Sequence, residues 1–276
     1  MSLSTDIASR YDKISGVYDE TREPLSTDAL DRVAALLEGS GDRRLLEAGV
    51  GTGRIASPLH LRGFDVVGID LSKGMLEKAL AKGLPALLQA DANSLPFRER
   101  PFDAVLLAHV LHLLDDPAKT LDSLGRVATN EILALVTRRE RGFASGDVMA
   151  SPMRDAFRKA AAELGYPRPE RPTGWSGFRR EEEFLASNPP DSLVTVEDKE
   201  VITTLRERLS IFEKRAYGHL NDIPEDKFRE ILRRVTASLD LNQEIRYRRV
   251  EQVAVWKVKS ARAWSSRPSE FVRDYS

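Results

Sequence analysis

The stretch LLEAGVGTGR, residues 45–54, decides how the rest of the chain is read. A short apolar run is followed by three glycines at alternate positions, Gly49, Gly51 and Gly53. A strand that ends in glycines and runs into a helix gathers backbone N–H groups at the helix's positive end, and bare α-carbons let a ligand approach. Two classes of ligand use such a turn. The dinucleotide fingerprint G-x-G-x-x-G uses its third glycine to pack helix against strand behind a pyrophosphate. Here the spacing is G-x-G-x-G, and Arg54 stands in place of the fingerprint's third glycine. Glu47, just ahead of the glycines, would repel a diphosphate and suits a ligand with a positively charged amino group.

Outward from this point the chain alternates. RRLLEAG (43–49), DVVGID (65–70), PALLQAD (85–91), FDAVLLAHV (102–110) and EILALVT (131–137) are short apolar runs that read as strands buried on both faces. Helical spacing fills 54–62, 72–82 and 116–128, with Ser72 as an N-cap and Gly83 as a stop. Strands alternating with helices imply a doubly wound α/β sheet, parallel and covered on both faces. Upstream, STDALDRVAALLEG (26–39) reads as an amphipathic helix capped by Ser26 or Thr27, behind the polar, aromatic-dotted SRYDKISGVYDETRE (9–23).

Downstream the alternation lapses. Helical pieces at 152–164 and 180–187 flank the proline-rich loop GYPRPERPTGWSGF (165–178), and strand-like SLVTVEDKEV (192–201) follows. Two helices ending near Ala216 and Leu239 precede a long strand, QEIRYRRVEQVAVWKV (243–258), and a tail that is either docked by Trp264 and Phe271 or loose. The expected division is an N-terminal arm and helix over 1–42 and an α/β core over 43–140. A variable, mostly helical region with one core strand spans 141–242, and the last strand and tail span 243–276.

The 276 residues are 41% hydrophobic and 31% charged, as in an ordinary globular protein, and no apolar run approaches the roughly 20 residues that span a bilayer. The absence of cysteine excludes disulfides, thiolate metal sites and a cysteine nucleophile. With no apolar leader in MSLSTDIASRYDK, a cytoplasmic address is expected. Forty-two basic residues against 43 acidic ones argue against a dedicated nucleic-acid binder. The densest charge runs, FRREEEF (178–184) and EIRYRRVEQ (244–252), mix signs and read as solvated faces.

EAGVGTG (47–53) matches every fixed position of E/D-x-G-x-G-x-G, the first motif of the class I S-adenosylmethionine-dependent methyltransferases, and the chain resembles their small-molecule, type 11-like members. VVGIDLS (66–72), QADANSLPF (89–97) and FDAVLLAHVLHLLDDP (102–117) resemble the next three motifs, in order and at the family's intervals. The resemblance implies a seven-stranded Rossmann-like sheet, six strands parallel and the last antiparallel, with a helical insertion as cover. It implies S-adenosylmethionine as cofactor and S-adenosylhomocysteine as product. Glu47 (through ordered water), Ala48, Gly49, Gly51 and Gly53 would border the methionine moiety. Asp70 would accept the ribose hydroxyls, Leu71 and Met75 flank the adenine, and Asp91 and Ala92 take its amino edge. Tyr11 and Tyr18, in a segment like the family's N-terminal Y-D…Y-D, would pack on the sulfonium side and exclude water. Arg22 would then face the cofactor carboxylate or an acidic acceptor.

Methyl transfer from a sulfonium is an in-line displacement with a neutral leaving group, so positioning and water exclusion suffice for much of the catalysis. His109 and Tyr18 are the candidate catalytic residues, and by the resemblance His109, facing the methyl group, is counted among the cofactor contacts as well. HVLHLL (109–114) ends the fourth strand, where open α/β sheets put their ligands, and His112 is assigned to a backbone or cap contact. Trp175, Phe178, Arg179, Tyr217 and His219 are candidate acceptor contacts. A small-molecule acceptor is favoured, with no membrane and no nucleic acid. Alternatives are a tRNA base or protein side chain as acceptor, a silent cofactor-binding subunit, and a nicotinamide-dependent oxidoreductase.

Overall fold

The computed structural model describes residues 3–114, 116–138, 152–167 and 177–258. Its first half comprises α1 (Leu3–Ile14), α2 (Thr27–Gly39), β1 (Arg44–Ala48), α3 (Ala56–Leu61), β2 (Asp65–Asp70), α4 (Lys73–Ala81), β3 (Ala86–Gln89), β4 (Phe102–Ala108), α5 (Pro117–Val127) and β5 (Ala128–Arg138). Then follow α6 (Pro152–Glu163), α7 (Gly177–Ser187), β6 (Ser192–Thr204), α8 (Leu205–Glu213), α9 (Glu225–Ser238) and β7 (Glu244–Lys257). The strands form one sheet in the order β3-β2-β1-β4-β5-β7-β6. β1 pairs in parallel with β2 and β4, β2 with β3, and β4 with β5, while β7 lies antiparallel between β5 and β6. Six strands therefore run one way and the last runs against them, as the resemblance implies.

Alternate side chains of each central strand enter two separate cores, which is why these strands read as unbroken apolar runs. Leu45, Ala104, Leu106, Leu133 and Val253 join Ala29, Val33, Leu59 and Ala79 of α2, α3 and α4 on one face. Leu46, Ala48, Val105, Leu107, Ala134 and Trp256 join Leu121, Leu124 and Phe184 of α5 and α7 on the other. Burying each such leucine contributes about 1.5–3 kcal/mol. Helix starts follow the cap rules: Ser26 Oγ accepts from Ala29 N (3.2 Å), Ser72 Oγ from Met75 N (3.1 Å), and Asp116 Oδ1 from Lys119 N (3.0 Å) with Pro117 at the first position. A third cluster stands apart, built by Met153 and Phe157 of α6, Leu209 and Phe212 of α8, and Phe228 and Ile231 of α9.

Two expectations are corrected, and one segment gains a structure. β3 is an edge strand, with Gln89 exposed and Leu88 39% exposed, because one flank has no neighbour and its face is only partly covered. The segment upstream of α2, for which the sequence alone predicts no element, is helical over α1, whose Ile7, Ala8, Tyr11 and Ile14 share one face. The run EIRYRRVEQ is solvated only in part: Arg246 and Arg248 face outward, whereas the Arg249 and Glu251 side chains are 10% and 1% exposed and bond each other. Trp175, Trp264 and Phe271 lie outside the described residues, as do the side chains of Phe178, Arg179 and His219. Among the described residues no helix is long and apolar enough to cross a membrane, and no three His, Cys, Asp or Glu side chains are grouped to hold a metal ion.

Candidate functional site

Strand order reverses at β1 and β4, and the loops leaving the carboxyl ends of β1, β2, β3 and β4 diverge there around a cleft of about 870 Å³ including its mouth. Gly49 and Gly51 after β1, Asp70 to Ser72 after β2, Ala90 to Asn93 after β3 and Ala108 to Val110 after β4 form its walls. Ile7, Ala8, Tyr11 and Tyr18 of the arm close one side.

The glycine loop is held by its own backbone and by one carboxylate. Gly49 N and Val50 N both donate to Ile69 O at 2.8 Å, and Gly51 N donates to Asp70 Oδ2 at 2.8 Å. Ser72 N donates to the other oxygen of Asp70, also at 2.8 Å. Burial raises the Asp70 carboxyl above its ordinary value, while the N–H groups of Ser72, Gly51 and Leu71 oppose that shift.

The three glycines have left-handed φ values of +77°, +55° and +76°, yet they are bare for different reasons. A Cβ on Gly51 would meet nothing within 4 Å, so this α-carbon opens on free space at the cleft wall. A Cβ on Gly49 would lie 2.6 Å from Val110 Cγ2, and one on Gly53 would lie 2.8 Å from Leu84 Cδ1 and 3.4 Å from the Ala79 backbone. Gly53 thus serves the packing of the loop against α4, a task the dinucleotide fingerprint gives to the next position. Gly53→Ala adds overpacking to a backbone strain of about 1–2 kcal/mol that Gly51→Ala incurs alone. Thermal melts are expected to place Gly53→Ala about 2 °C or more below Gly51→Ala.

Arg54 has its own employment. Its Nη2 donates to the carbonyls of Glu23 (2.5 Å) and Arg22 (3.3 Å), drawing the arm down beside the glycine loop. Two further ties do the same. Asp19 accepts from Thr52 Oγ1 (2.5 Å) and pairs with Lys82 (2.6 Å). Asp12 Oδ1 accepts from Ser72 Oγ (2.5 Å) and Gly74 N (2.8 Å), an approach open only because a Cβ on Gly74 would sit 2.8 Å from Ser15 Oγ.

Glu47 lies under the loop, 2% exposed, with Oε2 lacking a partner. Burial raises its pKa well above the carboxylate range, against the pull of the Ala56 N–H, and Asp70 adds to the rise. Tyr11 and Tyr18 pack with centroids 6.1 Å apart and ring planes tilted by 59°, and burial pushes the Tyr11 phenol up. Asp91 Oδ1 accepts from the backbone N and from Nδ2 of Asn93, at 2.8 Å each, and so sits at the cleft wall in a fixed orientation.

His109 has a left-handed φ of +56°, a conformation rare outside glycine, and its N–H donates to Leu135 O at 3.0 Å. The backbone bend turns its ring into the cleft, with 36% of the side chain exposed and Nε2 3.8 Å from Glu251 Oε2. Burial, then the charges of Arg249, His112 and Arg54, lower its pKa to about 3, so the ring is neutral. Glu251 is itself held by Thr137 Oγ1 (3.2 Å) and Arg249 Nε (2.7 Å).

Of the residues singled out from the sequence, Tyr11, Tyr18, Gly49, Gly51, Asp70, Leu71, Met75, Asp91, Ala92 and His109 meet at this cleft. Arg22, Glu47, Ala48 and Gly53 stand behind the wall, and His112 lies in the turn Leu111–Leu113. The cleft also contains residues the sequence reading passed over. Ile7 and Ala8 were discoverable from their helical spacing with Tyr11, whereas Asn93 carried no local signal of facing a ligand.

Residues 46–132 match the family model described as methyltransferase domain. A demethylmenaquinone methyltransferase of Clavibacter sepedonicus is 36% identical over 130 residues, which is 44% of this chain and 53% of that protein. A phosphatidylethanolamine N-methyltransferase of Cereibacter sphaeroides is 33% identical over 132 residues, 45% of this chain and 64% of that one. The chain therefore spans only about half to two thirds of these relatives' lengths. Among solved structures, the YcgJ protein of Bacillus subtilis is 17% identical, covers 83% of this chain and 97% of its own, and has a TM-score of 0.49. The family match begins in β1 and ends in β5, and so contains every loop that leaves a strand for the cleft. Residues 46–132 of this chain are thus similar to a methyltransferase domain, and the loops that build the cleft lie within that similarity.

Proposed function

We propose that the chain binds S-adenosylmethionine in this cleft and methylates a small-molecule acceptor. The observation that carries the reading is the pairing of Gly51 with Asp70: an α-carbon with free space in front of it, fixed by a carboxylate that keeps acceptor capacity at the cleft wall. The residues fit the cofactor in kind. Asp70 would accept the ribose hydroxyls, Leu71 and Met75 supply apolar contact to the adenine, and Asp91 with the Ala92 N–H reads its amino edge. Glu47 offers a buried, unpartnered carboxyl oxygen behind the loop for the amino acid end. When bound, the cofactor would supply a methyl carbon to an acceptor lone pair, the carbon–sulfur bond breaking as the new bond forms and its electron pair leaving with the neutral thioether, S-adenosylhomocysteine.

The chain's own contribution is then closure and orientation. Tyr11 and Tyr18 present aromatic faces and exclude water. The neutral His109 borders the acceptor side, where a charged imidazolium would repel the sulfonium. The region over 141–242, with its separate hydrophobic cluster of α6, α8 and α9, selects the acceptor.

His109→Ala is expected to leave cofactor affinity within about threefold and to lower turnover or acceptor affinity by about tenfold or more, the range of one positioned polar group. A variant that keeps both parameters would remove His109 from the acceptor site. The acceptor class is tested by incubating the protein with methyl-labelled S-adenosylmethionine and size-separated cell extract. Label is expected among small molecules; label confined to RNA or protein would reassign the acceptor.

A further inference from the structure

One side chain joins the arm to the helical cluster. The Arg22 guanidinium carbon lies 5.0 Å from the centroid of the Tyr18 ring and 5.3 Å from that of Tyr217, so the cation is shared by two aromatic rings from distant parts of the chain. Its Nη2 donates to Ala216 O (3.3 Å), and its Nη1 to Thr21 O (3.2 Å) and Thr21 Oγ1 (3.4 Å). On one side Tyr18 packs at a tilt against Tyr11, and both residues line the cleft. On the other side Tyr217 packs on Phe212 at 5.2 Å, and Phe212 on Phe157 at the same distance, inside the cluster of α6, α8 and α9.

A continuous series of ring and cation contacts thus runs from the cleft wall to the core of the helical cluster. The ion pairs Lys214–Glu20 (2.7 Å) and Lys13–Asp222 (3.1 Å) bridge the same two parts, but they are exposed, and such pairs contribute little and weaken with salt. Arg22 and Tyr217 are both partly buried, and neither touches the cleft. Arg22 is expected near the cofactor carboxylate or an acidic acceptor; here its guanidinium donates to Ala216 O, Thr21 O and Thr21 Oγ1.

We propose that Arg22 is a positioning residue: clamped by Tyr217, it holds Tyr18 and Tyr11 over the cofactor, so that the helical cluster governs how well the cleft closes. The proposal rests on the assignment of the cleft to S-adenosylmethionine. It makes cofactor retention depend on a cluster that belongs to the acceptor-selecting region, so acceptor binding there would tighten the hold on the cofactor.

The test uses Tyr217→Ala, Tyr217→Phe, Arg22→Ala and the double variant Arg22→Ala/Tyr217→Ala in the full chain. Calorimetric titration with S-adenosylmethionine is expected to show affinity about fivefold weaker in Tyr217→Ala, the scale of one partly desolvated cation–π contact. Tyr217→Phe keeps the ring face and is expected within twofold of wild type, a rescue that loss of the hydroxyl alone cannot mimic. The double variant is expected to bind no more weakly than Arg22→Ala, because both changes break the same chain of contacts. Additive losses, or a Tyr217→Ala affinity within twofold of wild type, would overturn the proposal.

Hydrogen exchange of the ligand-free protein separates this proposal from the cofactor assignment. The amides of Val17 and Thr21, which donate to Ile14 O and Tyr18 O, are expected to exchange faster in Tyr217→Ala than in Tyr217→Phe. Unchanged exchange overturns the clamp even if wild type binds the cofactor. Faster exchange upholds it even if wild type does not, in which case only the cofactor assignment fails.

Discussion

Asp70→Ala is expected to weaken S-adenosylmethionine binding by about 100-fold or more. Two losses combine. The carboxylate now accepts the N–H groups of Gly51 and Ser72, so its removal frees the glycine loop at the one residue whose α-carbon opens on the cleft. It also removes the acceptor proposed for the ribose diol. Hydrogen bonds to a charged acceptor contribute about 1.5–3 kcal/mol each, and two of them amount to about 3–6 kcal/mol, with each 1.4 kcal/mol worth a factor of ten. Asp70→Asn keeps the shape and one acceptor oxygen, and is expected to fall between wild type and Asp70→Ala. Titrations of both variants with S-adenosylmethionine, with melting curves to confirm folding, decide the matter. If Asp70→Ala bound within tenfold of wild type, the ribose would have to lie elsewhere.

Why Asp70 could be singled out from the sequence, and Asp12 could not, marks the limit of such a reading. Asp70 closes an apolar strand two residues before a helix cap, so its position at the carboxyl end of the sheet follows from local pattern alone. The strands β1, β2, β4 and β5 were similarly visible because both faces of each are covered and apolar, whereas β3 at the sheet edge is not. Asp12 acts across space, capping α4 from another helix through Ser72 and Gly74, and nothing near it in sequence announces that partner. Arg249 and Glu251 were misjudged for the same reason. In a strand, charged residues at alternate positions look like a solvated face, and here that face lies under residues 23–26, with Arg249 reaching Glu23, Glu197 and the Pro24 carbonyl. The α1 helix is a different case. Its stripe of Ile7, Ala8, Tyr11 and Ile14 has helical spacing, and no element is predicted there from the sequence. Arg54, by contrast, was noticed as a departure from the dinucleotide pattern before its role as an anchor for the arm was visible.

Glu47→Gln is expected to stabilise the ligand-free protein at pH 8 while weakening its hold on the cofactor. The Glu47 carboxyl is buried, one oxygen has no partner, and its pKa in the folded state lies well above that of the unfolded chain. The folded form therefore binds the proton more tightly than the unfolded form. Between the unfolded value, about 4.3, and the raised folded one, stability must fall as pH rises, because the native state gives up less of its proton. A glutamine at 47 still offers an oxygen to the Ala56 N–H and carries no charge at any pH. An unsatisfied buried charge costs at least about 1–3 kcal/mol, so the variant is expected to melt about 2–6 °C above wild type at pH 8. The difference should shrink as pH falls toward and below about 4.3, where the unfolded chain also takes up the proton. Cofactor binding should move the other way. A cationic amino group brought near Glu47 favours the carboxylate, so wild-type affinity rises with pH as the bound cofactor displaces the proton, and Glu47→Gln should flatten that profile and bind about tenfold more weakly at pH 8. Melting curves and titrations at pH 4.5 and pH 8 on the two proteins test both halves. A variant that gains stability but keeps the wild-type pH profile of binding would mean that the buried acid is a strain in the β1 end rather than the partner of the cofactor's amino group.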